Sequence, residues 1–486
     1  MEFHVSLAGR GDLSTRIYRQ LHEAVMDGRL RSGEKLPPTR ELARQLDVSR
    51  NTVALAYERL TAEGFLVGRV GAGTFVCDNP LAPAQPVDAS DDGLVPAQKA
   101  WEELAVTSAA AVADNGTEPP PYNFGVGVPD ALRFPMELWR RLVARQLRET
   151  TAVGVNYGEP AGHAGLRAEI ARHIGLSRSV RVAPEAVLVT NGTQQALDLI
   201  GRVLVEPGTC VAVEEPGYPL ARDLFASLGA RVVGVPVDSE GIDVAAIPAA
   251  ARLVYTTPSH QFPLGPAMSL DRRAALLAWT HRNDAAVIED DYDSEFRFAD
   301  RPLEPLHSLA RGDRVIYVGS FSKTMAPMLR LGFLVAPVSL RPALRAAKRL
   351  TDRQGEMTTQ GAMARFMADG LFVRHLRRST REYGARRALI LDVLRRDFAD
   401  RLEVVPSTAG LHLTAWLRPP SVDVERLVAR AATVGVAIGD VAEYHRDGPG
   451  RPGLAIGYGG IPLDRIEHGL ALLSEVWVDE GVDAVR

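Results

Sequence analysis

The chain has 486 residues, 46% apolar and 24% charged, enough for a large solvated core and two or three domains. Its net charge of −4 excludes nucleic-acid binding by bulk charge but not by a local surface, and Cys77 and Cys210 are too few for a disulfide framework or a cysteine-built metal centre. The opening "MEFHVSLAGRGDLSTR" lacks the order of a secretory leader, and no run approaches about 18 apolar residues, so a soluble cytoplasmic protein with no membrane partner and no metal is expected.

The first helix is predicted from Ile17, Leu21 and Val25, spaced four apart, and ends near Gly28. Thr39 is placed to cap a second helix over "RELARQL", and Ser49 a third over "RNTVALAYERLTAEG". Only Asp47 and Val48 separate the two, the short turn of a helix-turn-helix. Val53, Tyr57 and Leu60 form the buried stripe of the third helix. Arg50, Asn51 and Thr52 then fall on its exposed first turn, where side chains meet base edges and amides meet phosphates. "FLVGRVGAGTFV" follows as two short strands about a glycine-rich turn, a wing with Arg69 near its tip. Residues 1–80 carry eleven basic against ten acidic residues, so charge balance does not separate a DNA-binding module from a small helical interaction domain. The spacing favours DNA. In "LPPTRELARQLDVSRNTV" and "LTAEGFLVGRVGAGTFV" the segment resembles the winged helix-turn-helix of GntR-type bacterial regulators. That resemblance implies DNA-contacting roles for Arg40, Ser49, Arg50, Asn51, Thr52, Arg69 and Gly71.

Residues 79–121 are rich in Pro, Ala and Asp and poor in hydrophobic period, apart from a stretch at Trp101–Val106 that suits one short helix. Such a segment buries too little apolar surface to offset its ordering entropy and reads as a linker. It divides a module at 11–78 from one at 122–486, with no internal repeat.

In the large module strand-like runs alternate with helix-like ones, the pattern of a layered α/β domain with a mainly parallel sheet. The runs lie at 187–190, 210–214, 231–235, 253–256, 286–290 and 315–318, and in such sheets ligands bind beyond the carboxyl ends of strands. "VTNGTQQAL" ends a strand and opens a helix at Gly192-Thr193-Gln194, an anion site suited to a phosphate and equally the pattern of an ordinary helix cap. In "VIEDDYDSEF" strand alternation puts Asp290 and Tyr292 on one face and turns Asp291 away. Alone, that pair reads as well as surface structure. "GSFSKTMAPMLRLGF" sets Lys323 among small, hydroxylic and apolar residues, where an amine loses its proton readily and forms a Schiff base. Ser320, Ser322 and Arg330 are within reach of a phosphate dianion. Together these residues describe a pyridoxal 5′-phosphate site, with the aldehyde on Lys323 and the ring nitrogen on Asp290. The phenolic oxygen falls near Tyr292, and the phosphate on residues 192–194, Ser320 and Arg330.

From Tyr122 onward the chain resembles fold-type-I aminotransferases in "FGVGVPDALRFP", "NYGEPAGHAGLRAEIA", "TNGTQQALDLI", "EEPGY", "EDDYD" and "FSKTMAPMLRLGF". The resemblance implies an α/β fold with a smaller C-terminal lobe, a ring stacked on Tyr218, and a Tyr157 that reaches a neighbouring subunit's phosphate across a homodimer, domain-swapped in one arrangement. It also exposes two departures. Phe262 stands where such enzymes carry an Asn to the cofactor's ring oxygen, leaving Gln261 or His260 as substitutes. Ala455 stands where they carry the Arg that grips a substrate carboxylate, leaving Arg451 as the nearby candidate.

The fusion of the two modules resembles the MocR family of regulators, which implies operator DNA and a small amino effector, or the cofactor itself, as partners. An aminotransferase with an appended DNA module is the rival, discriminated by multiple turnover.

Overall fold

The computed structural model describes residues 12–77, 101–102, 104–105, 120–153, 156–298, 303–311, 313–418, 422–448 and 450–483. The chain forms two compact units, Met1–Gln98 and Lys99–Arg486. Most of the expected linker lies outside the described residues; residues 101, 102, 104 and 105 are helical. No described helix is long and apolar enough to cross a membrane.

In the small unit, α1 (Leu13–Met26), α2 (Thr39–Gln45) and α3 (Arg50–Ala62) enclose one core built on Ile17, Leu21, Val53, Tyr57 and Leu60. The antiparallel ribbon of β1 (Leu66–Arg69) and β2 (Gly73–Val76) adds Leu66 and Val76 to it. One expected cap is corrected. Pro38, not Thr39, occupies the N-cap of α2, and no side chain caps it. The proline holds an extended backbone there, and its carbonyl accepts from Glu41 N and Leu42 N. Ser49 caps α3 as expected, its Oγ accepting from Thr52 N at 3.1 Å.

The large unit opens with β3 (Tyr122–Phe124) and then builds an eight-stranded sheet. Its strands are β4 (Val187–Thr190), β5 (Cys210–Glu215), β6 (Arg231–Asp238), β7 (Gly241–Ile242), β8 (Ala251–Thr256), β9 (Ala286–Asp291), β10 (Val315–Ser320) and β11 (Gly332–Val335). The order is β4-β11-β10-β9-β8-β5-β6-β7. The six runs foreseen from sequence are β4, β5, β6, β8, β9 and β10. The strands from β10 to β6 pair in parallel, while β11 and β7 pair antiparallel to their neighbours.

Alternation sends the two faces into separate cores. Val187, Val189 and Tyr317 enter one, and Leu188, Ile316 and Val318 the other. A second sheet of five strands forms the smaller lobe from β12 (Leu402–Val404), β13 (His412–Leu417), β14 (Val436–Asp440), β15 (Gly453–Gly457) and β3, in the order β12-β13-β15-β14-β3. The long helix Leu371–Asp397 and the helix Ile466–Asp483 supply Ile390, Leu394, Leu470 and Leu473 to its core.

Candidate cofactor cavity and nucleic-acid interface

The carboxyl ends of β4, β5, β8, β9 and β10 open on one cavity of about 460 Å³. Its lining brings together Thr193, Gln194, Tyr218, Asp290, Tyr292, Ser320, Ser322, Lys323 and Arg330. Lys323 follows β10 and is half-buried; its Nζ donates to Gly127 O. Burial holds the Lys323 amine below its ordinary value of 10.5, and the carboxylates of Asp293 and Asp290 oppose that shift. An amine so placed keeps more of its nucleophilic form near neutrality.

Asp290 lies on the cavity floor and is 3% exposed. Its Oδ2 accepts a 2.8 Å bond from Tyr255 Oη, while Oδ1 is buried with no partner. Desolvation pushes this carboxyl up to about 7, against the phenol bond, which lowers it. A buried acid with an unused oxygen is completed by a cationic N–H. Asp291 turns away as expected and is held by Arg178 Nε at 2.7 Å and Tyr317 Oη at 2.5 Å.

The phosphate end is built on the helix Gly192–Leu204. Gly192 has φ of +78°, a conformation that favours glycine, and a Cβ there would meet the end of the Arg330 side chain, Nη2, at 2.9 Å. Arg330 itself sits in the left-handed region at φ of 49° and donates to Asn191 O at 2.8 Å. This places its guanidinium beside the free amides of the helix N-terminus, a charge-assisted anion cradle. Ser320 Oγ accepts from Ser322 N at 3.0 Å, which fixes the turn that carries Lys323.

The departures resolve differently from the sequence expectation. Neither Gln261 nor His260 lines the cavity. Gln261 Nε2 is spent on Pro216 O and Phe262 O, and His260 Nδ1 faces Asp293 and Tyr292 Oη. Phe262 instead anchors an aromatic wall, edge-on to Tyr218, Tyr292, His412 and Tyr444 at 5.0–5.9 Å. Arg451 lies outside the cavity, bonded to Glu403 Oε2 at 2.6 Å. Tyr157 is 72% exposed beneath the Arg353 guanidinium and does not line this cavity. The sequence reading missed Val126, Gly127, Tyr255, Thr257, Asp293, His412 and Tyr444. Tyr255 lies near the end of a recognised strand, and His412 opens a strand that is mostly apolar; each carried a faint signal.

In the small unit, Arg40, Arg50 and Asn51 are exposed, and Thr52 is half-buried. The Ser49 and Thr52 hydroxyls lie 2.8 Å apart, engaged in the cap. The first turn of α3 contains no acid, so no side-chain carboxylate there would repel a phosphate. Gly71 turns the wing at φ of +76°, and Arg69 packs its guanidinium over Phe75 at 4.9 Å. One helix start and one wing edge therefore present the positions a duplex contact needs.

Taken separately, the two units define a class: a winged helix joined in one chain to a fold-type-I aminotransferase domain. The comparisons agree. The family model for aminotransferase class I and II matches residues 120–450, and that for bacterial regulatory proteins of the gntR family matches 13–76. The chain is 36% identical to the probable rhizopine catabolism regulatory protein MocR of Rhizobium meliloti, over 95% of this chain and 93% of that one. It is 32% identical to the pyridoxine biosynthesis transcriptional regulator PdxR of Corynebacterium glutamicum, over 95% of both. Among solved structures, the α-aminoadipate aminotransferase LysN of Thermus thermophilus, complexed with N-(5′-phosphopyridoxyl)-L-leucine, superposes with a TM-score of 0.70. It is 31% identical and covers 79% of this chain and all of that one. The chain belongs to the MocR-type, GntR-family transcriptional regulators with an aminotransferase-like domain. The unused Asp290 oxygen, the Lys323 amine and the Gly192–Arg330 cradle fit pyridoxal 5′-phosphate, the cofactor of that domain.

Proposed function

We propose that this regulator, acting in the cytoplasm, reads its operator with the first turn of α3 and the wing, and senses a primary amine in the cavity at Lys323. The bound cofactor supplies an aldehyde that condenses with amines. The chain's own residues do the rest. Lys323 offers the attached amine, Asp290 holds the ring nitrogen's proton, and Tyr218 and Phe262 wall the ring. Thr193, Gln194, Ser320, Ser322 and Arg330 hold the phosphate. The observation that carries this reading is the convergence of Lys323, the unpartnered Asp290 oxygen and the Arg330 cradle in one cavity. Ligand exchange there changes what the two lobes enclose, and that difference is what a DNA-bound state can register.

We further infer a two-fold homodimer. The exposed Tyr157 is then free to meet a second copy, and two winged helices read paired half-sites. The test combines two measurements on the full chain. Amine titration followed by visible absorbance, with operator binding measured on the same samples, should show a spectral change that alters DNA affinity. Sedimentation should give a dimer. Multiple-turnover amino transfer without operator binding would instead support the enzyme reading. A DNA response to the cofactor alone would make the cofactor the effector.

A further inference from the structure

The cavity's charge inventory restricts which amine it can take. Among the described residues its only cationic side chains are Lys323 and Arg330. Lys323 is committed to the cofactor, and Arg330 is bonded to Asn191 O beside the phosphate cradle. His412 lines the cavity too, but burial pushes its pKa down to about 3, and its Nε2 lies 2.8 Å from Pro263 O, so it stays neutral with that nitrogen spent. Ala455 packs on Val441 and Leu264 with Val126 and Tyr444 beside it, behind the wall those two residues present to the cavity. It contributes no charge, and Arg451 is tied to Glu403 elsewhere.

Against this stands an anion. Asp293 lines the cavity, is 1% exposed, and raises the Lys323 pKa more strongly than Asp290 does. Its two oxygens lie 3.1 and 3.2 Å from the same His260 Nδ1, so one ring nitrogen serves both. An ionised carboxylate offers about four lone-pair sites, leaving most of its accepting capacity for a ligand. Gly410 pins the pair: at φ of +87°, a Cβ there would lie 2.0 Å from His260 Cε1 and 2.7 Å from Asp293 Oδ2. An effector carboxylate would enter beside Asp293 and Asp290 with no cation left to meet it, a like-charge contact in a poorly solvated site.

We propose that the effector is a primary amine without a carboxylate, whose second polar group is a hydrogen-bond donor, hydroxyl or ammonium, received by Asp293. This rests on the reading that Lys323 carries the cofactor and that the cavity senses amines. The experiment uses the full chain loaded with pyridoxal phosphate and three probes that share a four-carbon spine: 4-amino-1-butanol, 1,4-diaminobutane and 4-aminobutanoate. Affinities are read from visible absorbance. The alcohol or the diamine should bind at least about ten-fold more tightly than the carboxylate, the scale of one hydrogen bond to a charged group. Whichever of the two leads names the donor. Asp293→Asn, close in shape, should remove that margin. Equal or tighter binding of 4-aminobutanoate would overturn the inference while leaving amine sensing intact, as would an unchanged margin in Asp293→Asn. No spectral response to any of the three would instead overturn the sensing reading, and this inference with it.

Discussion

Tyr255 Oη donates a 2.8 Å hydrogen bond to one oxygen of Asp290, and the other oxygen has no partner at all. The phenol therefore fixes which edge of the carboxylate remains for a ligand. It also works against the burial that pushes Asp290 up to about 7, helping to keep the group ionised near neutrality. Tyr255→Phe retains the ring and removes the bond. A hydrogen bond to a charged group contributes about 1.5–3 kcal/mol, so cofactor affinity should fall roughly ten- to hundred-fold. Equilibrium dialysis against pyridoxal phosphate measures this directly. Unchanged affinity would mean that Asp290 does not act as the ionised partner of the ring nitrogen.

Lys323→Ala should abolish covalent, borohydride-reducible attachment of the cofactor while circular dichroism stays native. The side chain meets cavity rather than packed core, so its loss opens no void in the interior. A reducible adduct surviving in the mutant would move the attachment site to another lysine.

Attachment should also depend on pH in a set direction. The reacting form is the free amine, and burial lowers the Lys323 pKa below 10.5. Attachment rates should therefore rise with pH and reach half-maximum below 10.5. Asp293 holds the proton on, so Asp293→Asn should move that midpoint to lower pH. An unchanged midpoint would place Asp293 too far from Lys323 to act on it.

Much of this site was legible because its residues fall at strand ends that the sequence marks clearly. β4, β9 and β10 are short apolar runs bounded by glycine or charge, and strict alternation separated Asp290 from Asp291. Alternation also explains one miss. β9 ends at Asp291, so the period of two no longer governs Asp293, which turns back into the cavity beside Tyr292. Val126, His412 and Tyr444 come from segments remote from Lys323 in sequence, and only tertiary packing brings them there. The same holds for β3, which pairs in parallel with β14, Tyr122 opposite Val436, with no local signal. Thr39 failed as a cap because the proline before it already holds the extended backbone that a cap requires.

Directly behind the site, Arg178 and Asp291 form a buried ion pair, 5% and 1% exposed, to which Tyr317 and Ser259 add hydrogen bonds. Arg178→Met would leave Asp291 charged and without its counter-ion. Removing one partner of such a pair costs about 3–5 kcal/mol, and denaturant unfolding of the cofactor-free protein should show a loss of that size. Asp291 adjoins Asp290, so cofactor retention should weaken as well. A stability change under about 1 kcal/mol would show that water reaches the pair and screens it.

The DNA-facing claim turns on Arg50. It is the first residue of α3, directly after the Ser49 cap, and it is exposed where the helix amides point outward. The cap consumes the Ser49 and Thr52 hydroxyls, so Arg50 and Asn51 are the side chains of that turn left to reach a duplex. Arg50→Ala should leave the fold unchanged, because the core of this unit is carried by Ile17, Val53, Tyr57 and Leu60. It should also leave cofactor absorbance unchanged, because the cavity belongs to the other unit. Operator affinity should fall in one of two distinguishable ways. A phosphate contact would weaken binding to every sequence and reduce the salt slope by about one; a base contact would cost about 1–3 kcal/mol at a single operator position. Titrations at several salt concentrations, on operator and scrambled DNA, separate the two. Wild-type affinity on both would remove α3 from the groove and leave the wing, with Arg69 at its edge, as the contacting element.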